Sequence, residues 1–202
     1  NSSKEFICFK ESALHIPQTG LSKQEILSTL QAFKARDMDW KNGKVWCYVY
    51  DAGEDPAEVT KEAYLSFLSE NGLDPSVFPS ILKLETDVAR MVINLLRGDP
   101  NAVGHLTSGG TESIMLAVKS ARDKARVEKP RVTHPEMILP KNAHAAFHKA
   151  AHYLCVKPVV VDLDPETFTV RASDVESAIN ENTILLVAYA PSYSQALINP
   201  LK

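Results

Sequence analysis

The chain has 202 residues, a formal net charge of −3 and 45% hydrophobic residues, and this length is enough for a domain with a sizeable apolar core. Acidic and basic residues are mixed along the sequence, so no basic stripe indicates nucleic-acid binding. No apolar run approaches the roughly 18 residues that a membrane-spanning helix needs, and we expect no transmembrane segment. Three widely spaced cysteines, Cys8, Cys47 and Cys155, fit free thiols better than a disulfide framework, so we expect a cytoplasmic protein.

The first third of the chain predicts helices and little chemistry. Ser22 and Glu25 form a capping-box pattern ahead of an apolar stripe, which indicates a packed helix. The stripe consists of Ile26, Leu27, Leu30 and Phe33. A short β-prone run follows at 45–50, and further helices are expected at about 56–71 and 80–96. We assign residues 1–78 to a helical N-terminal arm.

The stretch at 104–126 is the most informative, because it combines the end of a strand, a glycine turn and the start of a helix. The first N–H groups of a helix have no intrahelical partner, and the helix dipole is positive there, so this turn favours an anion. Gly109 and Gly110 allow the backbone to approach that anion closely. Hydroxyl groups at the turn belong to Ser108, Thr111 and Ser113. The pattern predicts a phosphate site, with an ordinary capped helix start as the alternative.

Beyond this turn, apolar runs alternate with helical patterns. Buried strands are predicted at 136–140, 157–163 and 183–190. Helices are expected at about 110–127, 143–154 and 173–180. Alternating strands and helices predict right-handed crossovers and a mostly parallel sheet with helices on both faces. The predicted fold class is therefore α/β, and we assign residues 79–202 to this sheet domain.

A second informative segment, 139–151, leads into a helix with three histidines. His144, His148 and His152 are spaced four residues apart and would share one helical face. A histidine on a helix is more often a core or surface residue than a functional one. The spacing also allows a metal site, but no nearby cysteine or carboxylate completes a ligand set, so we expect none.

Together these segments resemble one family, the fold-type I pyridoxal-phosphate enzymes of the group II decarboxylase branch. Within that branch the sequence is most similar to the sphingosine-1-phosphate lyase family. The specific matches are the Thr107–Ser113 block and the His144–Phe147 block at this separation. Supporting matches lie at Gly43–Val45, Val49–Tyr50, Val77–Ser80, Leu84–Glu85, Lys149–Ala150 and Ile198–Pro200.

The resemblance implies a site for pyridoxal 5'-phosphate in the first half of a large, PLP-binding domain. The implied phosphate cradle is formed by Ser108, Gly109, Gly110 and Thr111. His144 would lie over the pyridine ring, and Tyr50 would offer a hydroxyl at the substrate site, so these two are the candidate catalytic residues. A strand tyrosine packed at an interface is the alternative for Tyr50. The resembling enzymes are dimers whose arm wraps the neighbouring subunit, so we expect a homodimer.

The implied reaction is retro-aldol cleavage of a phosphorylated sphingoid base to a fatty aldehyde and phosphoethanolamine. An amino-acid decarboxylase of the same branch is the alternative enzyme. A non-catalytic relative or fragment that acts as a dimerisation module is the alternative outside enzymes. In the family, the Schiff-base lysine and the aspartate that pairs with the pyridine nitrogen lie C-terminal to the block matched by Ile198–Pro200. We therefore expect these 202 residues alone to be inactive.

The sequence departs from the family at positions near the substrate, whereas the phosphate motif is intact. Asp51 and Asp74 stand where the family commonly has histidines, Gln195–Ala196 replaces a His-Gly pair, and Asn199 replaces an aspartate. An aspartate at position 74 would repel a substrate phosphate unless it were protonated or paired. The resemblance therefore predicts the cofactor more directly than the substrate.

Overall fold

The structure is a computed structural model that describes residue 16 and residues 18–45, 47–193 and 195–200. Cys8 lies outside these ranges, whereas Cys47 and Cys155 carry free thiols. The chain divides into two compact units, Asn1–Ser69 and Glu70–Lys202. Across the described ranges, no helix combines the length and the apolar character needed to cross a bilayer.

In its described residues, the first unit contains two α-helices and one short 3-10 turn. Their bounds are Lys23–Lys34 for α1, Trp40–Asn42 for the 3-10 turn and Glu54–Ser66 for α2. The predicted capping box at α1 is confirmed: Ser22 Oγ accepts from the Glu25 N–H at 3.3 Å, and Glu25 Oε2 accepts from the Ser22 N–H at 2.8 Å. This reciprocal pair satisfies two backbone donors at the start of the helix.

The prediction that α1 is a packed helix was wrong. None of its residues is buried, and Leu27, Leu30 and Phe33 expose 51%, 54% and 67% of their surface. The physical reason is that no residue of either α-helix or of the 3-10 turn is buried, so the described part of this unit offers no core to cover the stripe. The prediction of a helix was therefore right, and the prediction that its apolar stripe is packed was wrong.

Two further local predictions for the N-terminal third differ from the structure. The β-prone run at 45–50 forms no strand in its described residues, because Tyr48 has a φ of +72°, which interrupts an extended backbone. Helix α2 ends at Ser66 and not at Asn71–Gly72. Asn71 instead forms a separate turn, in which its Oδ1 accepts from the Leu73 N–H at 3.1 Å.

The second unit contains the sheet. Its helices are α3 (Pro79–Leu95), α4 (Gly110–Glu128), α5 (Ala145–Leu154) and α6 (Ala172–Ala178), and its strands are β1 (Glu136–Pro140), β2 (Lys157–Val161) and β3 (Thr183–Leu186). The strands are parallel in the order β2-β1-β3. Ile138, in the central strand, is paired with Val159 of β2 and Leu186 of β3. The predicted parallel sheet is thus confirmed, with β2 and β3 shorter than expected.

Helices cover both faces of this sheet, which confirms the α/β class. On one face, Met137 and Leu139 of β1 form a buried cluster with residues from α4 and α5. On the other face, Ile138 packs with Val161 and Val170, and α6 lies against this second cluster. Successive residues of a strand point to opposite faces, so a strand covered on both sides is apolar throughout.

The segment between α3 and α4 is not a strand, contrary to the expected strand end at 104–106. Residues 102–107 approach α4 without pairing to a neighbouring strand. A Cβ atom at Gly104 would lie 3.0 Å from the Ala89 Cβ, so the backbone here runs close against α3. Contact with the helix therefore takes the place of strand pairing.

Candidate cofactor-phosphate site

The two informative motifs lie at the same edge of the sheet. Because α5 follows β1 directly, its N-terminus lies at the carboxyl end of that strand. Helix α4 precedes β1 and runs back along the same face, which brings its N-terminus towards that edge. Met115, near the start of α4, and Phe147, near the start of α5, pack against one buried cluster. In open parallel sheets, ligands bind outside the carboxyl ends of the strands.

The turn before α4 leaves the first backbone donors of the helix accessible. Gly109 is the N-cap residue, with φ +159° and ψ 178°, a conformation open to glycine and strained for other residues. Among the described residues, no side chain caps the helix. The N–H groups of Gly110 and Thr111 have no intrahelical acceptor and, within the described ranges, no other one. They are the donors that can bind an anion.

The side of Gly110 that a Cβ atom would occupy is open. A Cβ atom at Gly110 would have no other atom within 4 Å. The positive φ of this turn belongs to Gly109 and not to Gly110. The cradle therefore fits a phosphate group: one glycine shapes the turn, and the next leaves room for the ligand.

The hydroxyl groups of the turn are used within the turn itself. Thr107 Oγ1 accepts from the Gly109 N–H at 3.3 Å and lies 2.6 Å from Ser113 Oγ. Glu112 Oε2 accepts from the Ser108 N–H at 2.7 Å and from the Ser108 hydroxyl at 2.6 Å. These bonds lower the pKa of Glu112 below its usual value, with the Ser108 hydroxyl as the main cause. An ionised carboxylate thus holds the donors of Ser108.

Glu112 is a site residue that the sequence reasoning did not single out. The available signal was its position four residues after Ser108, in the first turn of the helix. Side chains at that spacing can meet on one helix face. The sequence offered several hydroxyl partners for this carboxylate, and the structure selects Ser108.

His144 is the N-cap of α5 and not a residue on its face. Its Nδ1 accepts from the Ala146 N–H at 3.1 Å, so a neutral ring carries its proton on Nε2. Its own N–H donates to the Tyr189 hydroxyl at 2.5 Å. His148 and His152 lie exposed on α5, and the part of the chain that the structure describes contains no cluster of three or more His, Cys, Asp or Glu able to hold a metal.

The segment after β3 returns to the edge of the sheet where His144 lies. Asn199 is buried and is paired with Tyr189 twice: Asn199 Oδ1 accepts from the Tyr189 N–H at 3.0 Å, and the Asn199 N–H donates to the Tyr189 carbonyl at 3.0 Å. Burial raises the pKa of the Tyr189 hydroxyl, which therefore stays protonated at neutral pH. Asn199, one of the departures from the family pattern, thus positions the tyrosine that meets His144.

Three other predicted positions are Tyr50, Asp51 and Asp74. Tyr50 belongs to the first unit and has a fully exposed side chain, and its substrate role stays a prediction. Asp51 Oδ1 accepts from the Gly53 N–H at 3.1 Å. Asp74 Oδ1 accepts from the Ser76 N–H at 2.8 Å and from its hydroxyl at 2.7 Å, and these bonds lower the pKa of Asp74. Asp74 is therefore an ionised carboxylate that is paired within its own turn.

Known proteins share this arrangement. The sequence profile of the DegT/DnrJ/EryC1/StrS aminotransferase family matches residues 54–194. The sphingosine-1-phosphate lyase of Drosophila melanogaster is 39% identical over 188 residues, which cover 93% of this chain and 34% of that protein. A probable L-aspartate decarboxylase of Pyrococcus furiosus is 34% identical over 188 residues, which cover 93% of this chain and 48% of that protein. The structure of a sphingosine-1-phosphate lyase of Burkholderia pseudomallei is similar with a TM-score of 0.85 at 33% identity, over 95% of this chain and 46% of that one.

The parallel sheet with helices on both faces is that of the PLP-dependent transferase fold. The chain belongs to the DegT/DnrJ/EryC1/StrS aminotransferase family. Its curated and structural relatives make it a sphingosine-1-phosphate lyase-like member of the PLP-dependent group II decarboxylases. The predicted resemblance is therefore confirmed. The chain spans about a third of the length of the curated lyase relatives that it matches.

Proposed function

We propose that this chain is part of a PLP-dependent carbon–carbon lyase that cleaves a phosphorylated sphingoid base to a fatty aldehyde and phosphoethanolamine. The observation that carries the proposal is the uncapped first turn of α4, where the N–H groups of Gly110 and Thr111 have no acceptor among the described residues. The similarity to sphingosine-1-phosphate lyases over 93% of the chain supports the type of reaction. Bound PLP would supply an electron sink for the carbon–carbon bond that breaks.

The cradle residues bind and orient the phosphate of the cofactor. The N–H groups of Gly110 and Thr111, which have no acceptor among the described residues, would donate to its oxygens at the positive end of the α4 dipole. The open side of Gly110 lets the anion approach the backbone. Ser108 and Gly109 complete the predicted cradle, and Gly109 also sets the direction of the chain into the helix.

His144 is suited to contact the pyridine ring. Its ring is held by the bond from the Ala146 N–H to Nδ1, and its backbone is held by Tyr189. This leaves the Nε2 side and the faces of the imidazole for the cofactor and the substrate. Tyr50 is proposed to bring a hydroxyl to the substrate for proton transfer or phosphate binding.

The whole protein is proposed to be a cytoplasmic homodimer. The exposed stripe of α1, with Leu30 and Phe33 more than half exposed, supports an arm that packs on a partner subunit. Because the chain covers 34% of the Drosophila melanogaster lyase, the lysine that links to the cofactor is expected outside these residues. These residues alone are therefore proposed to be inactive.

An amino-acid decarboxylase is the second candidate. It is favoured by the 34% identity to the probable L-aspartate decarboxylase of Pyrococcus furiosus, of which this chain covers 48%. Asp74 does not separate the two candidates, because an ionised carboxylate would repel the carboxylates of an acidic amino acid as well as a substrate phosphate.

The two reactions are separated by their products. The full-length protein is loaded with PLP and incubated either with a sphingoid-base phosphate or with L-aspartate and L-glutamate. Release of a long-chain aldehyde and phosphoethanolamine supports the lyase, whereas release of CO₂ from an amino acid supports the decarboxylase. The 202-residue chain serves as the control, and it should form no borohydride-reducible PLP adduct on a single lysine.

A further inference from the structure

We propose that the Glu112 carboxylate is an internal anion that competes with the cofactor phosphate, and that it must release Ser108 before that residue can join the cradle. The inference rests on the proposed function, because it concerns the same phosphate site. It assigns to this chain a residue that tunes phosphate binding and does not itself hold the phosphate.

The first support is that one carboxylate oxygen takes both donors of Ser108. Glu112 Oε2 lies 2.7 Å from the Ser108 nitrogen and 2.6 Å from its Oγ. These are the short distances of charge-assisted hydrogen bonds, which are about twice as strong as neutral ones. A phosphate oxygen that used Ser108 would have to replace this interaction.

The second support is that the pair does not cap the helix. At α1, Ser22 and Glu25 form a reciprocal capping box, in which Ser22 Oγ accepts from the Glu25 N–H. At α4, Ser108 Oγ instead donates to Glu112, and no side chain in the described part of the chain accepts from the N–H groups of Gly110 and Thr111. The same two residue types therefore satisfy helix donors at α1 and leave them available at α4.

The third support is electrostatic. Hydrogen bonds from Ser108 favour the ionised form of Glu112, and the positive end of the α4 dipole acts in the same direction. A phosphate that is bound to the N–H groups of Gly110 and Thr111 would lie within the same turn as this carboxylate. The carboxylate and the phosphate are both negative, so they repel each other at this short range. The hydrogen-bond donors of the turn that stabilise one of them are not available to the other.

The consequence is a site with two states. Without phosphate, Glu112 holds Ser108 and keeps the turn ordered. With phosphate on Gly110 and Thr111, Ser108 changes partner and the carboxylate turns towards solvent, which is open to it because Glu112 is exposed. The exchange costs binding free energy, so the native chain should bind phosphate less tightly than a variant without the charge.

The test measures phosphate recognition apart from the covalent link to the cofactor. Pyridoxine 5'-phosphate has no aldehyde and forms no bond to lysine, so its affinity reports on the cradle. Its dissociation constant and that of pyridoxine are measured by calorimetry with the full-length protein free of PLP. The variants are E112Q, S108A and S108A/E112Q.

E112Q is expected to bind pyridoxine 5'-phosphate about tenfold more tightly than the native protein, since one charge-assisted bond no longer has to be broken. Its affinity for pyridoxine should stay unchanged. In S108A/E112Q the gain should fall, because the released donors of Ser108 are absent. The matched control is E25Q, which removes the same type of carboxylate from the capping box of α1 and should change neither affinity.

Equal binding of pyridoxine 5'-phosphate and pyridoxine by the native protein would overturn the proposed phosphate site as a whole. A different result would be that the native protein binds pyridoxine 5'-phosphate more tightly than pyridoxine while E112Q shows the same or a smaller ratio of the two affinities. That result would overturn only the role of Glu112. If E112Q does not fold, as judged by circular dichroism, E112D answers the same question. It keeps the charge but shortens the reach to Ser108, so it should show a smaller gain, and no gain would overturn the inference.

Discussion

The hydroxyl of Tyr189 accepts a hydrogen bond from the backbone N–H of His144 at 2.5 Å, across 45 residues of sequence. This bond joins the segment after β3 to the first turn of α5. It also places the histidine that is proposed to lie over the cofactor next to a half-buried tyrosine. Asn199 fixes the backbone of Tyr189 from the other side.

We expect Y189F to lower the free energy of unfolding by about 0.5–1.5 kcal/mol, because the His144 N–H loses its acceptor while the aromatic ring is kept. The measurement is the urea midpoint of the full-length protein. The matched control is Y153F, which removes the hydroxyl of a largely exposed tyrosine on α5. Equal losses in both variants would show that the hydroxyl of Tyr189 has no special role.

The capping role of His144 can be separated from its ring. Asparagine is a favoured N-cap residue, so H144N should keep the bond to the Ala146 N–H, whereas H144A should lose about 1 kcal/mol of stability. Both variants lack the imidazole and should bind PLP more weakly, which is measured by titration of cofactor absorbance. Normal PLP affinity in H144N would mean that His144 is only a helix cap.

Much of the sheet could be predicted from the sequence. The run at 136–140 is apolar throughout because β1 is covered on both faces, and such a strand needs no knowledge of its partners to be recognised. The start of α4 is likewise marked by its own glycines and hydroxyl residues. In both cases the signal lies within a few neighbouring residues.

The contacts that complete the site could not be predicted in this way. The bond between Tyr189 and His144 exists because β3 lies beside β1, and periodicity along one strand does not reveal its neighbours. The bond between Glu112 and Ser108 depends on side-chain rotamers. The prediction of a β-prone run at 45–50 was wrong for a local reason. Tyr48 has a positive φ, and its residue type gives no sign of this.

The exposed stripe of α1 predicts a surface that needs a partner. In the full-length protein, L30E/F33E should lower the fraction of dimer, because two charges would be buried in an apolar contact. Sedimentation velocity measures the change. The control is S28E/A32E, which adds the same charges on the opposite face of α1 and should leave the dimer intact. Equal dissociation by both pairs would argue against the stripe as the contact surface.

Glu136 of β1 connects the start of β2 with the segment just before β3. Its Oε1 accepts from Lys157 Nζ at 2.8 Å, and its Oε2 accepts from Asn180 Nδ2 at 2.7 Å. The hydrogen bond from Asn180, which has the larger effect, and the bond from Lys157 lower the pKa of Glu136 below its usual value. A carboxyl group whose pKa is lower in the folded than in the unfolded state stabilises the fold at pH values above its unfolded-state pKa. This stabilisation is lost as the pH falls through the folded-state pKa.

E136Q should therefore be less stable than the native protein at pH 7, and the difference should shrink as the pH falls below the usual carboxyl range. Urea midpoints at a series of pH values measure this. The control is E176Q, which alters an exposed carboxylate on α6 and should show no such pH dependence. A difference between E136Q and the native protein that stays constant with pH would show that packing, and not charge, is responsible.

The two glycines of the cradle should respond differently to a side chain. G110V should fold normally, because its side chain would enter open space, but it should weaken PLP binding by an order of magnitude or more, as expected when contacts of about 1.5–3 kcal/mol each are lost. G109V should lower stability itself, since its φ of +159° is strained for any residue with a Cβ atom. Thermal unfolding and PLP titration of the full-length protein distinguish the two effects.

D74H serves as the control outside this turn, and it should leave PLP affinity nearly unchanged. Equal losses of PLP affinity in G110V and D74H would place the phosphate at a different turn.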